Sequence, residues 1–267
     1  MIVQGMDRDG VAIRYCEEGL RDAAQTLVFV NSLGTDVRIW LDVARVFGQT
    51  MRILRYDKRG HGISDAPPAP YSLDDHVDDL IALLDETGTG QAVIVGVSVG
   101  GQIAQGLALR APERVSALVL CDTAAKIGTA EAWDERIDAI ERNGIEAIAD
   151  GIMERWFSRA YREGSPVELR LWRNLLVRTP VEGYLGTCAA LRDADLRDQV
   201  GNIAVPTLCV CGDEDGATPP DVVRELADMI PGASYLEIAR AGHLPCIEQP
   251  AILSNAISSF LSEKSVG

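Results

Sequence analysis

The sequence predicts an α/β fold in which a mostly parallel central sheet is flanked by helices. Short apolar runs alternate with amphipathic stretches, and several runs are rich in Val, Ile and Leu without polar alternation, as in strands buried on both faces. The strand-like runs begin at Val11, Thr26, Met51, Gln91, Arg114, Val205 and Ala233. One intervening helical pattern opens at Ser72, an N-cap type of residue, and closes at Gly88. This alternation is typical of a parallel sheet.

The alternation stops between residues 123 and 199. Four helical patterns follow one another there, beginning at Ala132, Glu146, Val167 and Glu182. We interpret this stretch as a helical cap inserted into the fold, over one end of the sheet. The predicted core domain then comprises residues 1–122 and 200–267.

The net charge of −15 over 267 residues restricts the partners of this chain. Nucleic acids and anionic membrane surfaces require a basic face, so neither is an expected partner. A small-molecule substrate is expected instead. If that substrate is an anion, a specific Arg or Lys must bind it inside the site, because the field in a pocket outweighs the screened global charge.

The chain is expected to be soluble and cytoplasmic. No apolar run approaches the roughly 18 residues of a membrane span. Asp7 and Arg8 precede any apolar region of a signal peptide. The six cysteines are predicted to be reduced core residues, because several stand in apolar runs and no second Cys pair or His cluster completes a zinc site.

A Gly-x-Ser-x-Gly motif spans residues 96–100, between a predicted strand and a predicted helix. At such a sharp turn the serine backbone is strained, and small neighbours are needed to accommodate it. Gly96 and Gly100 provide that room. The motif therefore predicts Ser98 as a nucleophile, with its hydroxyl lifted clear of the sheet.

A serine nucleophile needs a general base, and the chain has three histidines. His243 follows the last predicted strand, which suits the chain order Ser, acid, His. His61 lies in a loop directly after a strand, and His76 lies in an acidic amphipathic helix where a solvated surface position is expected. We therefore predict His243 as the base.

The acid is expected after a strand, at the same edge of the sheet. Asp213, Glu214 and Asp215 are all chemically suitable, and the following Thr-Pro-Pro favours Asp215. Asp122, which follows an earlier strand, is the alternative. The acid holds the histidine tautomer and stabilises the imidazolium.

The oxyanion hole requires two backbone N–H donors. We predict Val99, the residue after the nucleophile, and Leu33, in the loop after the strand that begins at Thr26.

Together these motifs resemble the α/β-hydrolase superfamily, and more narrowly the 3-oxoadipate enol-lactonases of aromatic catabolism. The narrower resemblance lies in residues 31–36, 56–65, 121–137 and 214–220. It implies hydrolysis of a carboxylated enol-lactone in the β-ketoadipate pathway, through an acyl-enzyme and with no metal or organic cofactor. A general carboxylesterase or perhydrolase and a non-catalytic ligand sensor are the alternatives. The oligomeric state, including a homo-oligomer, stays open.

Trp133 and Arg136 are predicted to bind the substrate's carboxylate. They stand three residues apart, so they share one face of the first cap helix. Arginine presents a planar fork that suits a carboxylate. The alternative is a surface arginine paired with Asp134, Glu135 or Asp138. Three further arginines are alternative candidates for binding the carboxylate: Arg155, Arg159 and Arg173.

Overall fold

A central sheet of eight strands organises residues 4–264, the part of the chain that this computed structural model describes. The described residues leave out 1–3 and 265–267. The predicted core domain includes both segments, and the signal-peptide argument includes the first. The strands are β1 (Gln4–Arg8), β2 (Val11–Gly19), β3 (Thr26–Val30), β4 (Arg52–Tyr56), β5 (Ala92–Val97), β6 (Val115–Cys121), β7 (Thr207–Gly212) and β8 (Ser234–Ile238).

The strand order across the sheet is β1-β2-β4-β3-β5-β6-β7-β8. β1 and β2 pair antiparallel, as do β2 and β4, and every pairing from β4 to β8 is parallel. The predicted mostly parallel sheet is therefore confirmed. Sequence patterns missed β1 because it is an edge strand in which only Met6 is buried, so it has no apolar run.

Helices flank the sheet. The α-helices are α1 (Leu41–Phe47), α2 (Leu73–Glu86), α3 (Val99–Arg110), α4 (Ala130–Asn143), α5 (Ala149–Trp156), α6 (Arg159–Gly164), α7 (Pro166–Val177), α8 (Val181–Asp193), α9 (Pro220–Met229), α10 (Pro245–Glu248) and α11 (Pro250–Glu263). Short 3-10 helices span Val37–Trp40, Pro112–Arg114, Ile145–Ile148 and Val200–Asn202. α1 packs against α11, and α2 packs against α3.

Capping residues set the helix boundaries. Ser72 begins α2 through a capping box with Asp75, as an N-cap at this position predicts. The helical pattern that begins at Glu146 predicts one helix, but the structure has the 3-10 helix Ile145–Ile148 followed by two α-helices, α5 and α6. The pattern breaks at Phe157, whose extended backbone ends α5, and Ser158 then caps α6 by accepting a hydrogen bond from Tyr161 N.

The prediction that His76 lies on the surface is wrong. Its side chain is buried, with 1% of the residue exposed. It lies on the face of α2 that also buries Val77 and Leu80, and its ring contacts Tyr71 edge-on. Its Nε2 lies 3.4 Å from the hydroxyl of Thr187 in α8. The acidic composition of α2 suggested a solvated helix. No sequence pattern indicated that α8, whose Thr187 is 111 residues away in the chain, packs on the face that carries His76.

The cysteine prediction is confirmed where the structure tests it, since all six cysteines are buried and unpaired. Within residues 4–264, no helix combines the length and the apolar character needed to cross a bilayer.

Candidate active site

Ser98 occupies the sharp turn between β5 and α3. Its backbone has φ of 59° and ψ of −124°, a positive-φ conformation that is strained for a residue with a side chain. Two hydrogen bonds hold the turn. Ser98 N donates to Cys121 O at 3.0 Å, and the hydroxyl of Thr123 donates to Ser98 O at 2.7 Å. The turn thus places Ser98 at the carboxyl edge of the sheet, beside the first turn of α3.

The flanking glycines make this turn possible. A Cβ on Gly96 would lie 2.3 Å from Gly100 O, and a Cβ on Gly100 would lie 2.2 Å from Val30 O. Both contacts are with backbone atoms, which cannot rotate away as a side chain can. The prediction that these two glycines provide room around the serine is confirmed.

The structure brings Asp215 and His243 together from the loops after β7 and β8. His243 Nδ1 lies 2.9 Å from Asp215 Oδ2, and both residues are buried. A carboxylate can only accept, so Nδ1 carries the proton and Nε2 is left as the basic nitrogen. Asp215 also accepts hydrogen bonds from Ala217 N (2.7 Å), Thr218 N (3.2 Å) and the Thr218 hydroxyl (2.7 Å).

These contacts decide the charge of Asp215. Burial by itself raises the pKa of this carboxyl group, but the charge of a protonated His243 and the hydrogen bonds outweigh burial. The net effect is that the pKa of Asp215 is lowered. Asp215 is therefore an ionised carboxylate suited to orient an imidazole and to stabilise an imidazolium.

Helix α5 holds the loops that carry Asp215 and His243. His243 N donates to Trp156 O at 2.8 Å, and Gly216 N donates to Arg155 O at 3.1 Å. Arg155 Nε in turn donates to Gly216 O at 3.1 Å. Sequence patterns did not predict these contacts, because α5 lies in the helical region and backbone carbonyls have no signature in a sequence.

Ser98, His243 and Leu33 line one cavity of about 90 Å³. This volume is below the roughly 300–1,000 Å³ of clefts that hold drug-sized ligands, so the cavity suits a small molecule. Among residues 4–264, no hydrogen bond joins the Ser98 hydroxyl to the His243 imidazole. Catalytic hydrogen bonds of this kind are often long without substrate and tighten when it binds.

The loop after β3 lines the cavity with Leu33 and leaves the backbone N–H of this residue without a partner among the described residues. Gly34 N donates to His61 Nε2 at 2.9 Å, and His61 Nδ1 donates to Arg59 O at 3.1 Å. Leu33 N has no hydrogen-bond partner among the described residues. Val99 is the first residue of α3, where backbone N–H groups have no partner within the helix. Neither predicted oxyanion N–H has a hydrogen-bond partner among the described residues, and of the two only Leu33 is among the residues that line the cavity.

The helical region also contributes residues to the wall of the cavity. Trp133 and Arg136, both on α4, line it together with Trp156 and Tyr184. The indole N–H of Trp133 donates to Ile127 O at 2.7 Å. The Arg136 guanidinium carbon lies 4.8 Å from the centre of the Trp133 ring, a cation–π contact that holds the arginine over the indole. The structure therefore brings both predicted residues to the cavity that contains Ser98.

Of the three alternative candidate arginines, only Arg155 lines this cavity. Desolvation, and then repulsion from Arg136, lower the pKa of Arg155. Arg159 pairs with Glu163 at 2.8 Å, and Arg173 pairs with Asp150 at 2.5 Å and Glu146 at 2.8 Å. Among the described residues that line the cavity, two are arginines and none is acidic. This local positive charge contrasts with the net charge of −15.

The sequence matches the alpha/beta hydrolase family over residues 27–256, which is most of its length. The chain belongs to this family. The predicted resemblance and the predicted fold class are confirmed.

Other alpha/beta hydrolases are similar to this chain over nearly its whole length. The 3-oxoadipate enol-lactonase 2 of Acinetobacter baylyi is 36% identical over 251 residues, covering 94% of this chain and 93% of the relative. The solved enol-lactonase of Burkholderia xenovorans has a TM-score of 0.94 and 37% identity, covering 97% of this chain and 100% of that chain. A malate-bound thermophilic esterase of Thermogutta terrifontis has a TM-score of 0.90 and 26% identity, covering 98% and 97%.

Among residues 4–264, one group of potential metal ligands includes Asp215 of the candidate site. Ligand atoms of Asp122, Cys211 and Asp215 lie within 4.8 Å of one another, and all three residues are buried. Protein hydrogen bonds already engage them. Cys211 Sγ donates to Gly212 O at 3.2 Å, Asp122 Oδ1 accepts from Gly212 N at 2.8 Å, and both Asp215 oxygens accept. Most ligand atoms of this group therefore already have protein partners, whereas Asp122 Oδ2 has none among the described residues.

Proposed function

We propose that this alpha/beta hydrolase cleaves the enol-lactone of 3-oxoadipate to 3-oxoadipate, the ring-opening step of the β-ketoadipate pathway. One observation carries the proposal. The cavity that contains Ser98 and His243 is also lined by Arg136 and Arg155, with no acidic residue among its described lining. This arrangement suits a small ester that carries a carboxylate. The likeness to two enol-lactonases supports the choice of ester.

In the proposed reaction, the Ser98 hydroxyl attacks the lactone carbonyl while His243 Nε2 accepts its proton. The N–H groups of Leu33 and Val99 stabilise the oxyanion. The ring C–O bond then breaks, and the departing enol oxygen takes the proton from His243. The enol stays attached through the acyl group and tautomerises to a ketone. Water activated by His243 then releases the product from Ser98.

The helical region is proposed to act as a cap, with boundaries at residues 123–199. It supplies Trp133 as a wall for the lactone ring and Arg136 as the partner of the carboxylate. Because α5 also holds the loops of Asp215 and His243, the same region would link substrate binding to the geometry of the acid and base. The six unpaired, buried cysteines support the expectation that the enzyme works in the reducing cytoplasm.

A hydrolysis screen tests the proposal. The purified protein is given enol-lactones with and without a carboxylate and, separately, neutral p-nitrophenyl esters, and kcat/KM is measured for each. The proposal requires the carboxylated enol-lactone to be the best substrate by at least about tenfold, the effect of roughly 1.4 kcal/mol. A second candidate, a general carboxylesterase, is favoured by the likeness to the thermophilic esterase. Equal or better turnover of neutral esters would support that second candidate.

A further inference from the structure

Lys58 is a buried lysine at the carboxyl end of β4, outside the residues assigned to the reaction so far. The residue is 0% exposed. Its ammonium group makes one hydrogen bond, to Ser32 O at 2.9 Å, and no carboxylate among the described residues lies within salt-bridge distance of it. A buried ammonium with a single neutral acceptor is costly, because desolvation disfavours the charge and no anion compensates it. An apolar residue would fill this space at lower cost.

The acceptor of Lys58 belongs to the oxyanion loop. Ser32 O and Leu33 N are the two polar atoms of one peptide unit, and Leu33 N is the proposed oxyanion donor. Ser32 O also accepts from the Thr35 hydroxyl at 2.9 Å and from Thr35 N at 3.4 Å. Loading the carbonyl in this way polarises the peptide and makes its N–H a stronger donor, since hydrogen-bonded groups polarise one another.

The neighbouring amide of this loop is already in use. Gly34 N donates to His61 Nε2, and His61 comes from the same segment after β4 as Lys58. This segment therefore holds the loop at two points, and Leu33 N is the amide left without a partner among the described residues, in a residue that lines the cavity. In a buried site, a fixed positive charge on the carbonyl side of that peptide also favours negative charge on the N–H side.

We propose that Lys58 is a positioning residue of the oxyanion hole, whose buried ammonium fixes and polarises the Ser32–Leu33 peptide for the tetrahedral intermediate. The inference rests on the proposed acyl transfer at Ser98, but not on which ester is the substrate. It adds a residue that acts through Leu33 N and does not touch the substrate.

The charge of Lys58 gives this role a pH signature. Burial lowers the pKa of Lys58 to about 7, while Asp57 and Asp36 nearby favour its charged form. The other titratable groups that face it are His61 and His76, whose pKa values are lowered by burial first and then by the charge of Lys58. Both histidines stay neutral near pH 7. The positive charge behind the oxyanion loop is therefore present below about pH 7 and is lost as the pH rises.

The test compares kcat and KM of wild type and Lys58→Met across pH, using any neutral p-nitrophenyl ester that the wild type hydrolyses. Removing one oxyanion donor costs about 10²–10³ in kcat. Lys58 acts through a donor, so Lys58→Met is expected to lower kcat about 10–100-fold, with KM nearly unchanged. The alkaline decline of wild-type kcat/KM is expected to be absent in this variant. Lys58→Arg, which keeps a charge that does not titrate, is expected to retain more activity and also to lose the alkaline decline.

Lys126→Met is the matched control. Lys126 Nζ also donates to backbone carbonyls, Arg192 O at 2.6 Å and Ala194 O at 2.9 Å, but the residue does not line the cavity. Its kcat and pH profile should match the wild type. If Lys58→Met does not fold, the wild-type profile still decides: kcat/KM that stays level from pH 7 to about pH 9 overturns the proposal. A loss in KM alone, or an unchanged alkaline decline in Lys58→Met, also overturns it. Ser98→Ala separates the two hypotheses, because full activity in that variant contradicts the proposed function itself.

Discussion

Asp122 and Asp215 lie at the carboxyl ends of the neighbouring strands β6 and β7, with a carboxyl oxygen of each within 4.8 Å of the other. Asp122 is completely buried. Burial, and then the negative charge of Asp215, raise the pKa of Asp122 well above its usual range. The two environments shift the pKa values of the pair in opposite directions, which favours the protonated form of Asp122 and the ionised form of Asp215, and Asp215 is the member that contacts His243.

We therefore expect Asp215→Asn and Asp122→Asn to differ sharply in activity. Asp215→Asn should cost roughly 10⁴-fold in kcat, because the amide leaves the imidazole in the wrong tautomer. Asp122→Asn introduces an amide of the same shape at a position that disfavours the charged carboxylate, and its carbonyl oxygen can still accept from Gly212 N. Its kcat should fall only a few-fold. Steady-state kinetics on one substrate checks both, and the reverse ranking would move the acid to β6.

Ser98→Ala is expected to remove turnover by several orders of magnitude, because the serine acts with its base as a unit. The urea midpoint should stay close to that of the wild type, since the change deletes one hydroxyl at the wall of a cavity and leaves the backbone unchanged. Mass spectrometry after treatment with a fluorophosphonate should locate the adduct on Ser98. A label on another residue, or undiminished activity in the variant, would contradict the assignment of Ser98 as the nucleophile.

Arg136→Ala is expected to discriminate between substrates. For the carboxylated enol-lactone, kcat/KM should fall by about 2–4 kcal/mol, the range for truncating one partner of a buried charge pair. Turnover of a neutral p-nitrophenyl ester should change little, because that ester has no carboxylate to lose. Arg159→Ala is the control, since Arg159 is exposed, pairs with Glu163 and does not line the cavity. Equal losses on both substrates, or none on either, would show that Arg136 does not anchor the carboxylate.

His76 is expected to make the fold sensitive to acid. Burial, and then the charges of Lys58 and Arg59, lower the pKa of His76 to about 3, against a usual value of 6.5. Between these values the unfolded chain binds the additional proton. The contribution of His76 is therefore complete above about pH 6.5 and is lost as the pH falls towards 3, by up to about 1.4 kcal/mol per pH unit.

Urea unfolding of wild type and His76→Gln between pH 7 and pH 4 measures this contribution. The free energy of unfolding of the variant should fall less steeply with decreasing pH, while above pH 7 the difference between the two proteins should be constant. His61 is present in both proteins, so most of its own titration cancels, and only the smallest cause of its pKa shift, the charge of His76, differs between them. Parallel slopes throughout would mean that His76 binds its proton equally readily in the folded and the unfolded protein, and would contradict the prediction.

The sequence by itself determined the features that depend on local chemistry. The apolar runs locate the strands of the parallel part of the sheet, because a strand buried on both faces needs an unbroken apolar segment. The motif at residues 96–100 identifies the strained turn at Ser98, since glycines are required wherever backbones approach closely. The family also followed from these short segments. The roles predicted for Asp215 and His243 rest on chain order, and the structure places these two residues in hydrogen-bond contact.

Only the tertiary structure decided which distant residues meet. The burial of His76 depends on α8, and the contacts of α5 with Gly216 and His243 join backbone atoms that leave no pattern in a sequence. The same holds for Lys58. Its sequence context predicts an ordinary charged loop residue, and only the fold brings its ammonium group into a hydrogen bond with Ser32 O. Side-chain type and periodicity indicate whether a residue requires burial or a hydrogen-bond partner. Packing between elements that are remote in the chain decides which residue provides that contact.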